Sequence, residues 1–263
     1  MHSRKEQLAA FERLLDIMDE LREKCPWDHK QTFESLRQNT IEEANELATA
    51  IIREDKKEIA KELGDVLLHV VFYAKIGSET QDFDMADVCN LISDKLIFRH
   101  PHIYGGVEAH SPEEVSKLWE QVKLKEKGGN KTVLAGIPDS LSSVVKAYRI
   151  QDKAANIGFD WEHREDVWEK VKEEIREFEE TMVRESESER ERQEEELGDL
   201  LFALINAARL YKLKPDNALE KTNQKFIKRF NYMEQQATAQ GRDISTLSLD
   251  EMEALWQEAK HQE

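Results

Sequence analysis

Two short acidic patterns recur in this chain. Glu62 and Asp65 stand three apart within Glu-Leu-Gly-Asp, and Glu196 and Asp199 repeat the same four letters. Upstream of the first lie Glu42, Glu43 and Glu46, and upstream of the second lie Glu173, Glu174 and Glu177. On a helix, residues three or four apart share a face. Glu43 and Glu46 therefore point one way, as do Glu62 and Asp65, and an antiparallel pairing of the two helices would converge four carboxylates. Glu174, Glu177, Glu196 and Asp199 would do the same. Two like charges about 4 Å apart repel by roughly 4 kcal/mol at an effective dielectric of ~20, so such a cluster needs cations or must take up protons. Oxygen donors without His or Cys select a hard ion, Mg²⁺ or Mn²⁺.

With 55 acidic residues in the chain, an isolated Glu-x-x-Glu pair is ordinary solvated surface. Duplication in order, beside apolar runs, is what argues for a site. A glycine interrupts each Glu-x-x-Asp, at Gly64 and Gly198. It costs a helix interior roughly 1 kcal/mol relative to alanine, and the expectation is that it lets a neighbouring helix approach closely.

Basic and aromatic residues keep step with the acids. Lys95 with Arg99, and Lys225 with Arg229, lie four apart after each acidic set and suit phosphate oxygens. Trp119 and Trp256 offer a flat face on which a base can stack. Lys170 precedes Glu174 by one helical turn and Arg192 precedes Glu196 by one turn, where the first half has Asn39 and Glu58. Counted this way, the second set is three charges more positive than the first. His69 follows Asp65 by four, but its counterpart is Ala203, so it is not a required ligand. His-Pro-His at 100–102 has the spacing of a turn, and the chain holds no His-Glu-x-x-His, His-Asp or Gly-x-Ser-x-Gly.

The elements that must carry these residues also come in pairs. Cys-Pro-Trp-Asp at 25–28 is answered by Gly-Phe-Asp-Trp at 158–161, residues 94–100 by 224–230, and 118–123 by 255–260, at offsets of 130 to 137. Preserved order at nearly constant offset indicates an internal duplication. Gly128, Gly129, Asn130, Gly136 and Pro138 break any helix, giving units 1–127 and 139–263 around a linker at 128–138. Leu8, Phe11, Leu15, Met18 and Leu21 follow the spacing of one buried helical face. The apolar runs 66–74 and 200–208 follow capping signals at Asp55 and Ser188, which argues for helix rather than strand. The expectation is an all-α protein, two tandem copies of a helical bundle with about four main helices each.

Net charge is −17 over 263 residues, which disfavours nucleic acid and anionic membrane surfaces as partners. No apolar run approaches the ~18 residues of a membrane span, and the N-terminus lacks the apolar core of a signal peptide. Cys25 and Cys89 alone make no disulfide framework, and a cytoplasmic location is expected.

Glu-Glu-x-x-Glu followed by Glu-x-x-Asp and a Lys/Arg helix is similar to the all-α nucleoside triphosphate pyrophosphohydrolases of the MazG type. Cys-Pro-Trp-Asp, Arg-His-Pro-His-Ile-Tyr-Gly (99–105), Lys-Ala-Ala-Asn-Ile-Gly-Phe-Asp-Trp (153–161) and Glu-Leu-Gly-Asp-Leu-Leu-Phe (196–202) extend the resemblance over nearly the whole chain, as in tandem-domain members. The resemblance implies a Mg²⁺-dependent homodimer that hydrolyses a nucleoside triphosphate to nucleoside monophosphate and pyrophosphate. It also implies that the C-terminal unit is the active one. Glu174, Glu177, Glu196 and Asp199 would then hold metal, and Glu173 or Glu174 would take the proton of the attacking water. Lys170, Arg192, Lys225 and Arg229 would meet the phosphates, and Trp256 the base. Glu42, Glu43, Glu46, Glu62, Asp65, Lys95, Arg99 and Trp119 would form a second, weaker site. The rival reading is a catalytically silent helical scaffold that binds nucleotides or proteins.

Overall fold

Helix starts are set by short polar side chains that hold the free N–H groups of the first turn. Ser3 caps α1 (Arg4–Lys24), and Cys25 leads into the single turn α2 (Pro26–His29). Thr32 caps α3 (Phe33–Ile52), Asp55 caps α4 (Lys56–Glu79), and Asp84 caps α5 (Met85–Arg99), which is followed by the short α6 (Pro101–Tyr104). Ser142 caps α7 (Ser143–Asn156), and a 3₁₀ turn at Arg164–Asp166 leads into α8 (Val167–Thr181). Helix α9 (Glu187–Leu210) starts one residue before Ser188, so that serine lies inside the helix rather than at its cap. Helix α10 (Pro215–Ala239) has proline in its first turn, and Ser248 caps α11 (Leu249–His261). This computed structural model describes residues 1–111, 114–115, 118–119, 122, 132–182 and 187–262. Among them there is no strand, and no helix is long and apolar enough to cross a membrane.

The chain packs as two units, Met1–Ala109 and His110–Glu263. Of the linker expected at 128–138, residues 128–131 lie outside the described residues and 132–138 belong to the second unit. Each unit is organised around one helix pair, α3 with α4 in the first and α8 with α9 in the second. Only residues 53–55 join α3 to α4, with Glu54 at φ 58°, so the chain turns straight back on itself. The first unit has four long helices; the described part of the second has five.

Met18, Leu36, Val71, Phe72 and Ile76 form the first core, with Phe11, Leu15 and Tyr73 packed against it. Leu8 and Leu21, expected on the same buried face, do not join them; they are 62% and 37% exposed. The second core uses smaller side chains, Val167, Val171, Ala203 and Ala207. Both apolar runs, 66–74 and 200–208, are helical.

Candidate functional site

Helix α3 supplies Glu43, and α4 supplies Glu62 and Asp65; one carboxylate oxygen from each comes within 4.8 Å of the others. In the second unit α8 supplies Glu174, and α9 supplies Glu196 and Asp199, in the same arrangement. Three of each four expected acids therefore converge. The fourth, Glu46 or Glu177, lies outside the trio but feels its charge. Glu46 is held above the ordinary carboxylate range chiefly by the negative charge of Glu62, with burial and Glu43 adding to it. Glu177 is pushed up first by burial and then by the charges of Glu174, Glu173 and Glu196.

The donor chemistry suits a hard divalent cation. Glu62 and Glu174 are 1% and 5% exposed, and the Oε2 atom of each has no hydrogen-bond partner among the described residues. A buried carboxylate oxygen without a donor is costly, and here it stands beside two further carboxylates. A cation with oxygen ligands would satisfy all three.

In each unit a lysine holds the other oxygen of the buried glutamate. Lys170 lies 2.7 Å from Glu174 Oε1 and 2.9 Å from Glu173 Oε1. Lys61 lies 2.7 Å from Glu62 Oε1 and 3.1 Å from Glu58 Oε1. Its hydrogen bond is the main reason that the Glu62 carboxyl falls below its ordinary value, against the opposing effect of burial. This corrects the charge count made from sequence. Lys61 was left out, and so was its counterpart Glu195. Including both reduces the difference between the sites from three charges to one. Arg192 adds little, since it is 59% exposed and 3.9 Å from Glu196.

A larger difference lies beside the acids. In the first unit Thr40, one turn before Glu43, donates to the Leu36 carbonyl at 3.0 Å. Its lone pairs are then free to accept from Tyr73 O–H at 2.6 Å and from His69 Nδ1 at 3.0 Å. His69 is buried, and Phe33 stacks on Tyr73 at 5.7 Å. The corresponding positions of the second unit are Val171, Ala203 and Ala207. There a cavity of about 970 Å³ is lined by Ala203 together with Lys170, Glu174 and Asp199. That is the size of a small-molecule pocket.

Aromatic residues form part of the cavity wall. Gly158 takes φ 95°, a left-handed conformation that only glycine reaches without strain, and so turns the chain into Phe159, Asp160 and Trp161. The largely buried Arg209 of α9 clamps this turn. Its Nη1 donates to Asp160 Oδ2 at 3.0 Å, its Nη2 to Asp160 Oδ1, and its Nε to Asn206 Oδ1 at 3.1 Å. Phe159, Trp161 and Phe202 thus stand on the cavity wall. Sequence reasoning used Gly-Phe-Asp-Trp as a marker of duplication and of resemblance, and gave its aromatic side chains no role. The sequence pairing of His69 with Ala203 was read only for metal ligation, and its consequence for space beside the acids was missed.

The remaining expected residues sit elsewhere. Lys95 and Arg99 are on α5, and Lys225 and Arg229 on α10, helices other than those that bear the acids. Arg229 lies over the Trp256 ring, 5.3 Å from its centroid, and Phe226 packs 5.0 Å from the same ring. Trp119 belongs to the second unit rather than the first. The close-approach argument for Gly64 and Gly198 fails. Both are exposed, and a Cβ at either would meet nothing within 4 Å.

The MazG nucleotide pyrophosphohydrolase domain matches residues 31–104 and again 163–233, so each match contains one acidic trio. The chain is 42% identical over 260 residues to an Escherichia coli protein named nucleoside triphosphate pyrophosphohydrolase, covering 96% of this chain and 98% of that one. It is 41% identical over 259 residues to a Thermotoga maritima protein named nucleoside triphosphate pyrophosphohydrolase/pyrophosphatase MazG, covering 97% and 98%. A solved structure of a MazG-related protein from Thermotoga maritima overlaps 44% of this chain and 99% of its own, at 30% identity and a TM-score of 0.39.

Proposed function

The chain belongs to the MazG family, and from that premise we propose that it hydrolyses nucleoside triphosphates to nucleoside monophosphate and pyrophosphate, with turnover in the second unit. The observation that carries the assignment to this unit is the acidic trio opening on the aromatic-lined cavity. Glu174, Glu196 and Asp199, with Glu177 one turn on, would hold Mg²⁺, or Mn²⁺ in its place. When bound, the ion supplies positive charge to the triphosphate oxygens and lowers the pKa of water.

The protein's own groups do the rest. Glu174 is committed to the trio, so the more exposed Glu173 receives the proton of the attacking water. Lys170 already bridges Glu173 and Glu174 and lines the cavity, where its ammonium meets charge that develops on the leaving pyrophosphate. The apolar remainder of the cavity takes the nucleoside, with Phe159, Trp161 and Phe202 as its flat walls. Lys225 and Arg229, the basic pair expected to meet phosphates, stand on α10, where Trp256 holds the Arg229 guanidinium by a cation–π contact. A homodimer is supported by the exposed apolar side chains Leu91, Ile97 and Phe98 on α5 and Phe226 and Ile227 on α10. Net charge of −17 disfavours nucleic acid and anionic membrane surfaces as partners, and a cytoplasmic enzyme is part of the same reading.

The test is incubation with Mg²⁺ and a panel of nucleoside triphosphates. Release of monophosphate and pyrophosphate, abolished by EDTA and restored by Mg²⁺ or Mn²⁺, is expected. Release of diphosphate and phosphate, or full turnover without metal, would overturn the reading. Binding without turnover would favour the scaffold.

A further inference from the structure

The cavity of the second unit runs along α9. Asp199, Ala203, Asn206 and Arg209 of that helix line it, spaced three and four apart and so on one face. Asp199 belongs to the acidic trio, and Arg209 stands about 15 Å further along the axis at a rise of ~1.5 Å per residue. A ligand with its phosphates at the trio and its nucleoside in the cavity therefore extends toward Arg209. Arg209 has little left to offer that ligand directly. Four of the five N–H groups of its guanidinium are engaged within the protein. Nη1 and Nη2 donate to the two Asp160 oxygens, and Nε and Nη2 share the Asn206 oxygen at 3.1 and 2.9 Å. Asp160 Oδ1 also accepts from the Trp161 backbone N–H at 2.9 Å.

The turn that carries the aromatic wall depends on this tether. Phe159 and Trp161 are 81% and 38% exposed, so burial does little to fix their rings. From α7 the turn is held by its backbone, with the N–H groups of Gly158 and Phe159 donating to the Ala155 and Ala154 carbonyls at 2.9 and 3.0 Å. From α9 it is held through Asp160. The first unit is built differently. Lys75, at the position of Arg209, pairs with Asp19 at 2.7 Å, and the turn containing Trp27 is held by Arg22 through the Asp28 and Gln31 carbonyls.

We propose that Arg209 is a positioning residue for nucleotide binding. Through Asp160 it holds residues 158–161 against α9, so that Trp161 meets the nucleoside from a fixed place on the cavity wall. Its effect passes through Trp161 and not through a contact of its own. A flat aromatic face serves every base, so the clamp sets affinity for nucleotides as a class rather than choice among them. The inference rests on the reading that the cavity takes the nucleoside of a hydrolysed triphosphate.

The experiment measures kcat and KM for ATP and CTP with Mg²⁺ on wild type, Arg209→Met, Arg209→Lys, Asp160→Ala and Trp161→Ala, and on Arg209→Met combined with Trp161→Ala. Arg209→Met is expected to raise KM about tenfold for both substrates, the worth of one stacked base, with kcat within about twofold because the acids are untouched. Arg209→Lys should recover part of the loss, and Asp160→Ala should match it. In the Trp161→Ala background Arg209→Met should add nothing to KM, since the ring it positions is gone. Additive losses in the double variant, or a fall in kcat with KM unchanged, would overturn the proposal and leave Arg209 as part of the fold alone. If Arg209→Met fails to fold, Asp160→Ala with and without Trp161→Ala gives the same comparison. If wild type released no monophosphate, the hydrolase reading would fail by itself. Calorimetric binding of ATP to the same variants, additive or not, would still decide the role of Arg209.

Discussion

Beside Glu43, Glu62 and Asp65, a threonine, a histidine and a tyrosine fill the space with a hydrogen-bonded network. Beside Glu174, Glu196 and Asp199, a valine and two alanines stand at the same positions; Val171 and Ala207 are packed in the core, and Ala203 lines an open cavity. Both trios pair their buried glutamate with a lysine at 2.7 Å, one from α4 and the other from α8. The comparison separates two properties that are easily merged. Convergence of carboxylates follows from the duplicated helix pair and is present twice. Room for a nucleoside depends on side-chain volume one turn away, and that is where the units part.

The comparison can be broken most severely at the ligands. Glu174→Gln or Asp199→Asn should lower turnover by about a thousandfold or more, since each removes a charge that holds the ion at nearly constant volume. Melting temperature without metal should stay level or rise, because repulsion within the trio is relieved. Equal losses from Asp65→Asn would place the chemistry in both units.

Filling the cavity should come next in size. The change Ala203→His puts the first unit's histidine on the cavity wall of the second. It should reduce kcat/KM by about 10- to 100-fold at the same metal affinity, as the nucleoside is crowded out. The reverse pair, His69→Ala with Tyr73→Ala, should destabilise the first unit by about 3 kcal/mol or more in denaturant melts, the usual cost of emptying a packed aromatic site. Unchanged kinetics in the filled variant would remove the cavity from the account.

Single charges should matter less. Lys170→Met is expected to raise KM several-fold, because its ammonium lines the cavity. Lys61→Met should leave activity unchanged and lower stability, because Glu62 would keep a buried charge without its cation. Equal kinetic effects from the two would mean that both sites bind phosphates.

The smallest effect is a pH dependence. The Glu177 carboxyl is raised above its ordinary value of 4.5, so the folded state holds that proton more tightly than the unfolded chain does. Its contribution to stability is present in full below about pH 4.5 and is lost as pH rises through the folded value. Glu177→Gln should therefore melt level with wild type near pH 4 and increasingly above it toward pH 7, in metal-free buffer. A constant gap across that range would show that the Glu177 charge is not strained.

Much of this was legible in the sequence. Acids spaced three and four apart beside apolar runs predict both the helices and their convergence, and repetition in order separates them from ordinary surface. What escaped were properties of neighbours across space. Lys61 adjoins Glu62 in sequence, yet its side chain is long enough to fold back onto that carboxylate, and counting one turn upstream skipped it. The cavity is a matter of volume: Ala203 becomes informative only when its place on the cavity wall beside Lys170 and Glu174 is known. Arg209 and Asp160 lie 49 residues apart, and their pairing is visible only once the turn is folded against α9.

The central claim is that one of two similar acidic sites does the chemistry. Glu62→Gln and Glu196→Gln, assayed side by side on one nucleoside triphosphate with Mg²⁺, test it most directly. The account predicts that Glu196→Gln removes monophosphate release while Glu62→Gln keeps nearly all of it. A Glu62→Gln variant that loses as much as Glu196→Gln would contradict it.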